Sequence, residues 1–184
     1  MRRILEAAER LLADQPPQEI TSQEIAKAAG LTIGAFYRFY ANRDAVLDEI
    51  NFRRIGEAEE LLTAFLERVK PQSISDLTAG FTDAVVVYLD ANPAFRALWF
   101  AGYQSARAVA EDRRVLTAIT QTFFEYLIGP LGMAETPDLC LRVTIGVEIG
   151  NALLELAFRQ PSFPRDAIVD QAKLAIRRYF SDLS

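Results

Sequence analysis

Tyr37 carries a phenolic donor and Arg38 a forked guanidinium, adjacent in the stretch Ile33-Gly34-Ala35-Phe36-Tyr37-Arg38. Both groups donate hydrogen bonds to phosphate oxygens, and a guanidinium also matches the major-groove edge of guanine. Arg43 follows directly after Asn42, a residue type that caps helix N-termini, so its charge is expected at a positive helix end that attracts phosphate. Gly34 and Ala35 keep the preceding turn small, which lets a backbone approach bases and phosphate oxygens. The chemistry these residues suit is contact with duplex DNA.

Two short helices must hold them. Thr21 is placed to cap the first, with Glu24 closing a capping box, and Ile25 and Ala26 supply its inner face. Gly30 is the residue best able to take the positive φ that ends a helix sharply, and Leu31 plugs the corner. Thr32 caps a second helix expected over Ile33 to about Phe39, with Phe36 in the core beside Phe39 or Tyr40. This is the sequence form of a helix-turn-helix whose second helix enters the major groove. The plainer alternative is a helical hairpin inside an ordinary bundle.

The stretch TSQEIAKAAGLTIGAFYRFYANRDAVL resembles the N-terminal domain of the tetracycline-repressor (TetR) family of bacterial transcriptional regulators. Thr21, Ile25, Ala26, Ala29, Gly30, Thr32, Gly34, Ala35, Phe36, Tyr37, Tyr40, Asn42, Arg43, Asp44 and Leu47 follow its pattern. The resemblance covers residues 1 to about 50. Two positions depart from it: Phe39 stands where a phosphate-binding His or Tyr is frequent, and Leu12 replaces a common Phe. Carried over residue by residue, the resemblance implies base-edge contacts from Gln23, Ile33, Ala35 and Arg38. It implies phosphate contacts from Ser22, Thr32, Tyr37 and Arg43, with the Gly34 backbone close to the strand.

Bulk properties fit a DNA-binding regulator once they are divided along the chain. Apolar residues make up 51% of 184, enough for a full core. The net charge of −5 is not spread evenly: residues 1–54 carry eight basic and eight acidic side chains, so the acidity lies beyond them. A neutral DNA-binding domain must rely on directed contacts from Lys27, Arg38 and Arg43, and on two copies. There is no His and Cys140 is the only cysteine, which excludes internal disulfides and Cys/His zinc sites. No apolar run spans a membrane and no leader-like segment is visible, so a cytoplasmic protein without cofactor or metal is expected.

The whole chain reads as all-α, about nine helices. A first helix over about Arg2 to Ala13 braces the helix-turn-helix. A long helix from Asn42 to about Val69 joins a DNA-binding domain (residues 1–50) to a helical effector-binding and dimerisation domain (residues 51–184) without a flexible linker. Five further helices are expected, from Ser73 to Ala91, from Pro93, from about Glu111 to Ile128, from Thr136 to about Arg159, and from Pro164 to about Phe180.

Aromatic residues gather in the middle helices, and the positions named for a small, largely hydrophobic ligand are Tyr88, Phe95, Trp99, Tyr103 and Phe123, with Glu148 and Asn151 for its polar groups. Ordinary core packing is the alternative for each. The helix from Thr136 is apolar nearly all round and is expected to be buried on every side. The family resemblance implies that the last two helices form a four-helix dimer interface. That places Gly146, Gly150, Leu153, Ile168, Ala172 and Ile176 in a homodimer whose two reading helices meet a palindromic operator.

Three classes follow. The first is a DNA-binding repressor released by a small-molecule effector. The second is a DNA-binding regulator without one. The third is an enzyme on a helical bundle, against which stand the absence of His, of metal-spaced carboxylates, of a phosphate-binding Gly loop and of a nucleophile–base signature, so no catalytic residue is named.

Overall fold

The computed structural model describes residues 1–100, 105–159 and 162–183. Among them it forms nine α-helices and no strand: α1 (Arg2–Asp14), α2 (Ser22–Ala28), α3 (Ile33–Tyr37), α4 (Arg43–Val69), α5 (Ile74–Ala91), α6 (Pro93–Phe100), α7 (Ala106–Ile128), α8 (Pro137–Arg159) and α9 (Arg165–Tyr179). None is long and apolar enough to cross a membrane. The described residues form two compact units, one of residues 1–57 with 88–112, the other of residues 58–87 with 113 onward.

Local sequence sets the helix ends in the first unit. The Glu24 N–H donates to the Thr21 hydroxyl at 3.2 Å, and the Glu24 carboxylate accepts from the Thr21 N–H at 2.8 Å, a complete capping box. The Thr21 hydroxyl also donates to that carboxylate at 2.7 Å, and this bond, with the one from the Thr21 N–H, holds the Glu24 carboxyl below its ordinary range. Gly30 takes φ +67°, the Gly30 N–H reaches the Lys27 carbonyl and the Leu31 N–H that of Ala26, which closes α2 in a Schellman motif. The Thr32 hydroxyl accepts from the Ala35 N–H at 3.2 Å, and Asn42 Oδ1 from the Ala45 N–H at 2.9 Å.

The reading helix is two residues shorter than its pattern suggests. It stops at Tyr37, and Tyr40 rather than Phe39 turns into the core. Phe36 is fully buried there with Ile4, Leu5, Ala8, Ile25, Val46, Leu47 and Ile50, and α6 adds Ala94 and Leu98 to the same core. Thus α6 packs on α1. An ionic chain ties α1 and α4 to the end of α5: Arg54 donates to Glu9 at 2.8 Å and to Glu57 at 3.1 Å, and the Tyr88 hydroxyl donates to Glu57 at 2.6 Å. The Ser105 hydroxyl bonds Asp48, and the Arg107 guanidinium stacks over the Phe52 ring. Ser105 also accepts from the Ala108 N–H, so α7 begins five residues before the expected Glu111. Asn51 is 2% exposed with both side-chain polar atoms unpartnered, and the buried Tyr40 hydroxyl also lacks a partner.

In the second unit, α4 ends at Lys70 in the left-handed region (φ 50°), followed by buried Pro71, whose carbonyl accepts from the Tyr126 hydroxyl at 3.1 Å. The Phe81 ring packs on Phe65 and Phe123, at 6.0 and 5.3 Å between centroids. Helices α8 and α9 pack together along Leu139, Val143, Gly146 and Ala157 against Val169, Ala172 and Ile176. Arg142 is flanked by two carboxylates, Asp182 held in a two-pronged pair at 2.7 and 2.8 Å and Asp138 at 3.0 Å. Lys173 pairs with Asp83.

The expectation that α8 is buried on every side is not met in the single chain. Leu141, Ile145 and Leu156 are exposed, and Glu148 and Ala152 lie exposed on the same helix. The apolar residues divide between one face spent on α9 and another left open.

Candidate nucleic-acid interface and effector site

The helix-turn-helix presents its candidate residues in three conditions. Gln23, Thr32, Gly34, Tyr37 and Arg38 are exposed; Ser22, Ile33 and Ala35 are half-buried, and Ile33 leans on the core. A Cβ on Gly34 would meet nothing within 4 Å, so the fold itself leaves room for a side chain there. Arg38 closes α3, and its side chain, like that of Lys27, has no hydrogen-bond or ion-pair partner among the described residues. Tyr37 stands with its ring edge-on to Phe36, 5.5 Å between centroids.

Arg43 is in the third condition. Its guanidinium donates to the carbonyls of Ile20 at 3.0 Å, Gln18 at 3.1 Å and Pro17 at 3.4 Å, and to Asp44 at 2.7 Å. The expected phosphate contact therefore competes with bonds inside the fold, through which Arg43 fastens the α1–α2 loop to the start of α4. The carbonyl partners lie more than twenty residues away, which is why neighbouring sequence gave no sign of them.

The residues named for a ligand are divided between the two units. In the first unit, Tyr88, Phe95 and Trp99 form a chain of rings, 6.1 Å from Tyr88 to Phe95 and 5.2 Å from Phe95 to Trp99. Phe95 is buried, and Trp99 and Tyr88 are half-buried. The Tyr88 hydroxyl is spent on Glu57, and burial together with that carboxylate pushes it above the ordinary tyrosine range. Tyr103 lies outside the described residues. In the second unit Phe123 is buried against Phe81, Asn151 is half-buried, and Glu148 is exposed on the open side of α8. Glu148 thus faces solvent in the single chain rather than an enclosed pocket.

Phe95 lines a groove of the first unit, about 400 Å³, whose other walls include Glu6, Glu9, Arg10 and Ala13 of α1, Arg54, and Asn92 to Ala94. No group of three or more metal-ligating side chains occurs among the described residues.

The six residues named for dimerisation lie on α8 and α9, which pack together within the chain. A Cβ on Gly146 would stand 2.3 Å from the Phe180 ring, and one on Gly150 would stand 3.5 Å from Ile176 Cδ1. Ala172 and Ile176 are buried, while Leu153 and Ile168 are half-buried. The close approach that the two glycines permit is that of α9 in the same subunit. Sequence could not separate the two uses, because a helix of the same chain and one of a second copy need the same small residues.

Comparison with known proteins gives two family matches: bacterial regulatory proteins of the tetR family over residues 4–50, and the tetracyclin repressor-like C-terminal domain over residues 72–183. The HTH-type transcriptional regulator EthR of Mycobacterium tuberculosis is 25% identical over 177 residues, covering 91% of this chain and 80% of that protein. An uncharacterized HTH-type transcriptional regulator of the same organism is 36% identical over 133 residues, 70% of this chain and 62% of its own length. Among solved structures, a TetR-family regulator from Streptomyces coelicolor aligns with a TM-score of 0.69 at 23% identity, over 100% of this chain and 98% of that one. FadR from Bacillus subtilis in complex with stearoyl-CoA aligns at TM-score 0.69 and 13% identity, over 95% of this chain and 96% of that one. These two structures share the fold.

Proposed function

The chain belongs to the tetR family of bacterial regulatory proteins and is a DNA-binding transcriptional regulator; we propose that it is a repressor that binds a palindromic operator as a homodimer and leaves it when a small, largely hydrophobic ligand binds. The observation that carries this reading is the open apolar side of α8, with Leu141, Ile145 and Leu156 exposed. One chain offers one reading helix, α3, and a single reading helix gives weak specificity. An uncovered apolar helix face supplies the surface on which two copies associate, and a two-fold pair reads a palindrome. The interface then takes Leu141, Ile145, Glu148, Leu153, Leu156 and Ile168, with Gly146, Gly150, Ala172 and Ile176 acting behind it to hold α8 on α9. The protein works in the cytoplasm, where its operator is.

On the DNA side, Gln23, Ile33, Ala35 and Arg38 face base edges, and Ser22, Thr32 and Tyr37 with the Gly34 backbone face phosphates. Residues 1–50 form the part that reads DNA and residues 51–184 the part that binds effector and partner, with α4 running from one to the other. The half-buried Trp99 beside Phe95 supports an apolar effector. Another protein of this fold is described with stearoyl-CoA, which supports a ligand with a hydrocarbon part. A ligand that prefers the state with misplaced reading helices lowers DNA affinity by its differential affinity for the two states. The second reading, a regulator without effector, draws on the tight ring packing of Phe95 and Phe123 as core.

The test joins three measurements. Selection from a random duplex library should return a palindrome, sedimentation should give a dimer at micromolar concentration, and native mass spectrometry of the purified protein should reveal a co-purified small molecule whose addition releases the selected duplex. A stable monomer, or a selected site without two-fold symmetry, overturns the homodimer. A dimer that binds DNA but carries no compound leaves the second reading.

A further inference from the structure

The helix-turn-helix meets DNA with few charges and two bare aromatic rings. Of the eight basic side chains in residues 1–54, Arg2 pairs with Glu6, Arg10 donates to the Ala28 carbonyl, Arg43 holds the α1–α2 loop, Arg53 pairs with Glu49, and Arg54 with Glu9 and Glu57. Arg3, Lys27 and Arg38 are the three without a hydrogen-bond or ion-pair partner among the described residues. Eight acidic groups in the same stretch offset the basic ones. Against this, Phe39 is 53% exposed and Tyr37 54% exposed, on either side of Arg38. Phe39 is not a loose loop residue: its N–H is bonded to the Phe36 carbonyl at 2.9 Å, in the turn between α3 and α4. The core beneath it is already filled by Phe36 and Tyr40.

We propose that Phe39 is a DNA-contacting residue, laying its ring on the carbon surface of the duplex, deoxyribose or thymine methyl, so that part of the affinity of this regulator is an apolar term that salt does not screen. The proposal rests on the reading of α3 as the helix that enters the major groove, Phe39 lying exposed two residues beyond its end. Phosphate contacts release counterions and weaken steeply with salt, whereas apolar burial carries no such dependence. Phenylalanine on the thymine methyl is a recognised mode of base contact, and the deoxyribose face offers the same chemistry.

The experiment measures binding across a salt series for wild type, F39A, F39L and K27A, using a duplex that the wild-type protein selects from a random library. F39A should bind about fivefold more weakly at every salt concentration, with the slope of log K against log salt unchanged. F39L, which keeps apolar surface, should recover part of that loss. K27A should lower the slope by about one per contacting copy. Thermal melts of F39A should match wild type, because the ring lies outside the core. Replacing thymine by uracil throughout the duplex separates the two carbon surfaces: a loss seen in wild type and absent in F39A assigns the methyl, and no change assigns deoxyribose. F39A affinity equal to wild type overturns the proposal, as does a slope change of about one in F39A. Failure of the wild type to bind any duplex overturns the underlying reading of α3 instead.

Discussion

Tyr88 of α5 donates its hydroxyl to the carboxylate of Glu57 on α4 at 2.6 Å, and Glu57 is the same group that Arg54 holds together with Glu9 of α1. A single hydroxyl thus closes a chain of charged side chains that begins on the first helix of the DNA-reading part.

The pH dependence of folding should report that bond. The Tyr88 phenol is raised above its ordinary value, first by burial and then by the Glu57 carboxylate. A group raised on folding contributes stability that is full below its unfolded pKa, about 10 for tyrosine, and is lost as pH climbs beyond it. Melting temperature should therefore fall between about pH 9.5 and pH 11 in wild type and fall less in Y88F. At neutral pH the Y88F substitution should cost about 1 kcal/mol, since Glu57 keeps Arg54. Parallel melting curves of the two proteins through this range would show that Tyr88 contributes nothing by ionisation.

Gly146 and Gly150 should answer alanine in opposite directions. At Gly146 the added carbon meets the Phe180 ring at 2.3 Å, and displacing that ring should cost about 1–3 kcal/mol. At Gly150 the nearest atom is Ile176 Cδ1 at 3.5 Å, an ordinary contact, so alanine in the helix interior should gain about 0.5–1 kcal/mol. Chemical denaturation of the two single variants checks both signs. A destabilised G150A would mean that the α8–α9 contact has no slack.

Arg43 and Arg38 should separate stability from DNA charge. R43A removes donors from the Ile20, Gln18 and Pro17 carbonyls and should lower stability by about 1–3 kcal/mol while leaving the salt slope of DNA binding unchanged. R38A should leave the melting temperature near wild type and alter base preference at one operator position, because the Arg38 side chain makes no bond among the described residues. A slope reduced by about one in R43A would return Arg43 to the phosphate contacts.

The open side of α8 makes its own prediction. Glutamates placed together at Leu141 and Ile145, both exposed in the single chain, should leave helicity and melting of the monomer intact and abolish dimerisation and operator binding together. Sedimentation and duplex titration of the double variant measure the two losses. A dimer that survives both charges would move the interface elsewhere.

What sequence makes legible here is mostly local. Thr21 with Glu24, Gly30, Thr32 and Asn42 act within three residues of themselves, and each takes the role that its side chain and spacing suggest. The end of α3 is not legible in the same way, because Phe39 and Tyr40 both offer an apolar ring and only the turn decides which enters the core. Arg43, Arg54 and Gly146 take partners from distant parts of the chain, where no spacing rule operates. Asn51 shows the converse: its place within α4 gives no hint that its amide would be buried without a partner.

Trp99 and Cys140 are each the sole residue of their kind, the first half-buried on α6 in one compact unit and the second exposed on α8 in the other. The unaltered protein therefore carries an indole emitter and one accessible thiol for an acceptor dye. Donor lifetimes from that pair would convert any ligand-driven rearrangement into an optical signal, without a single codon being changed.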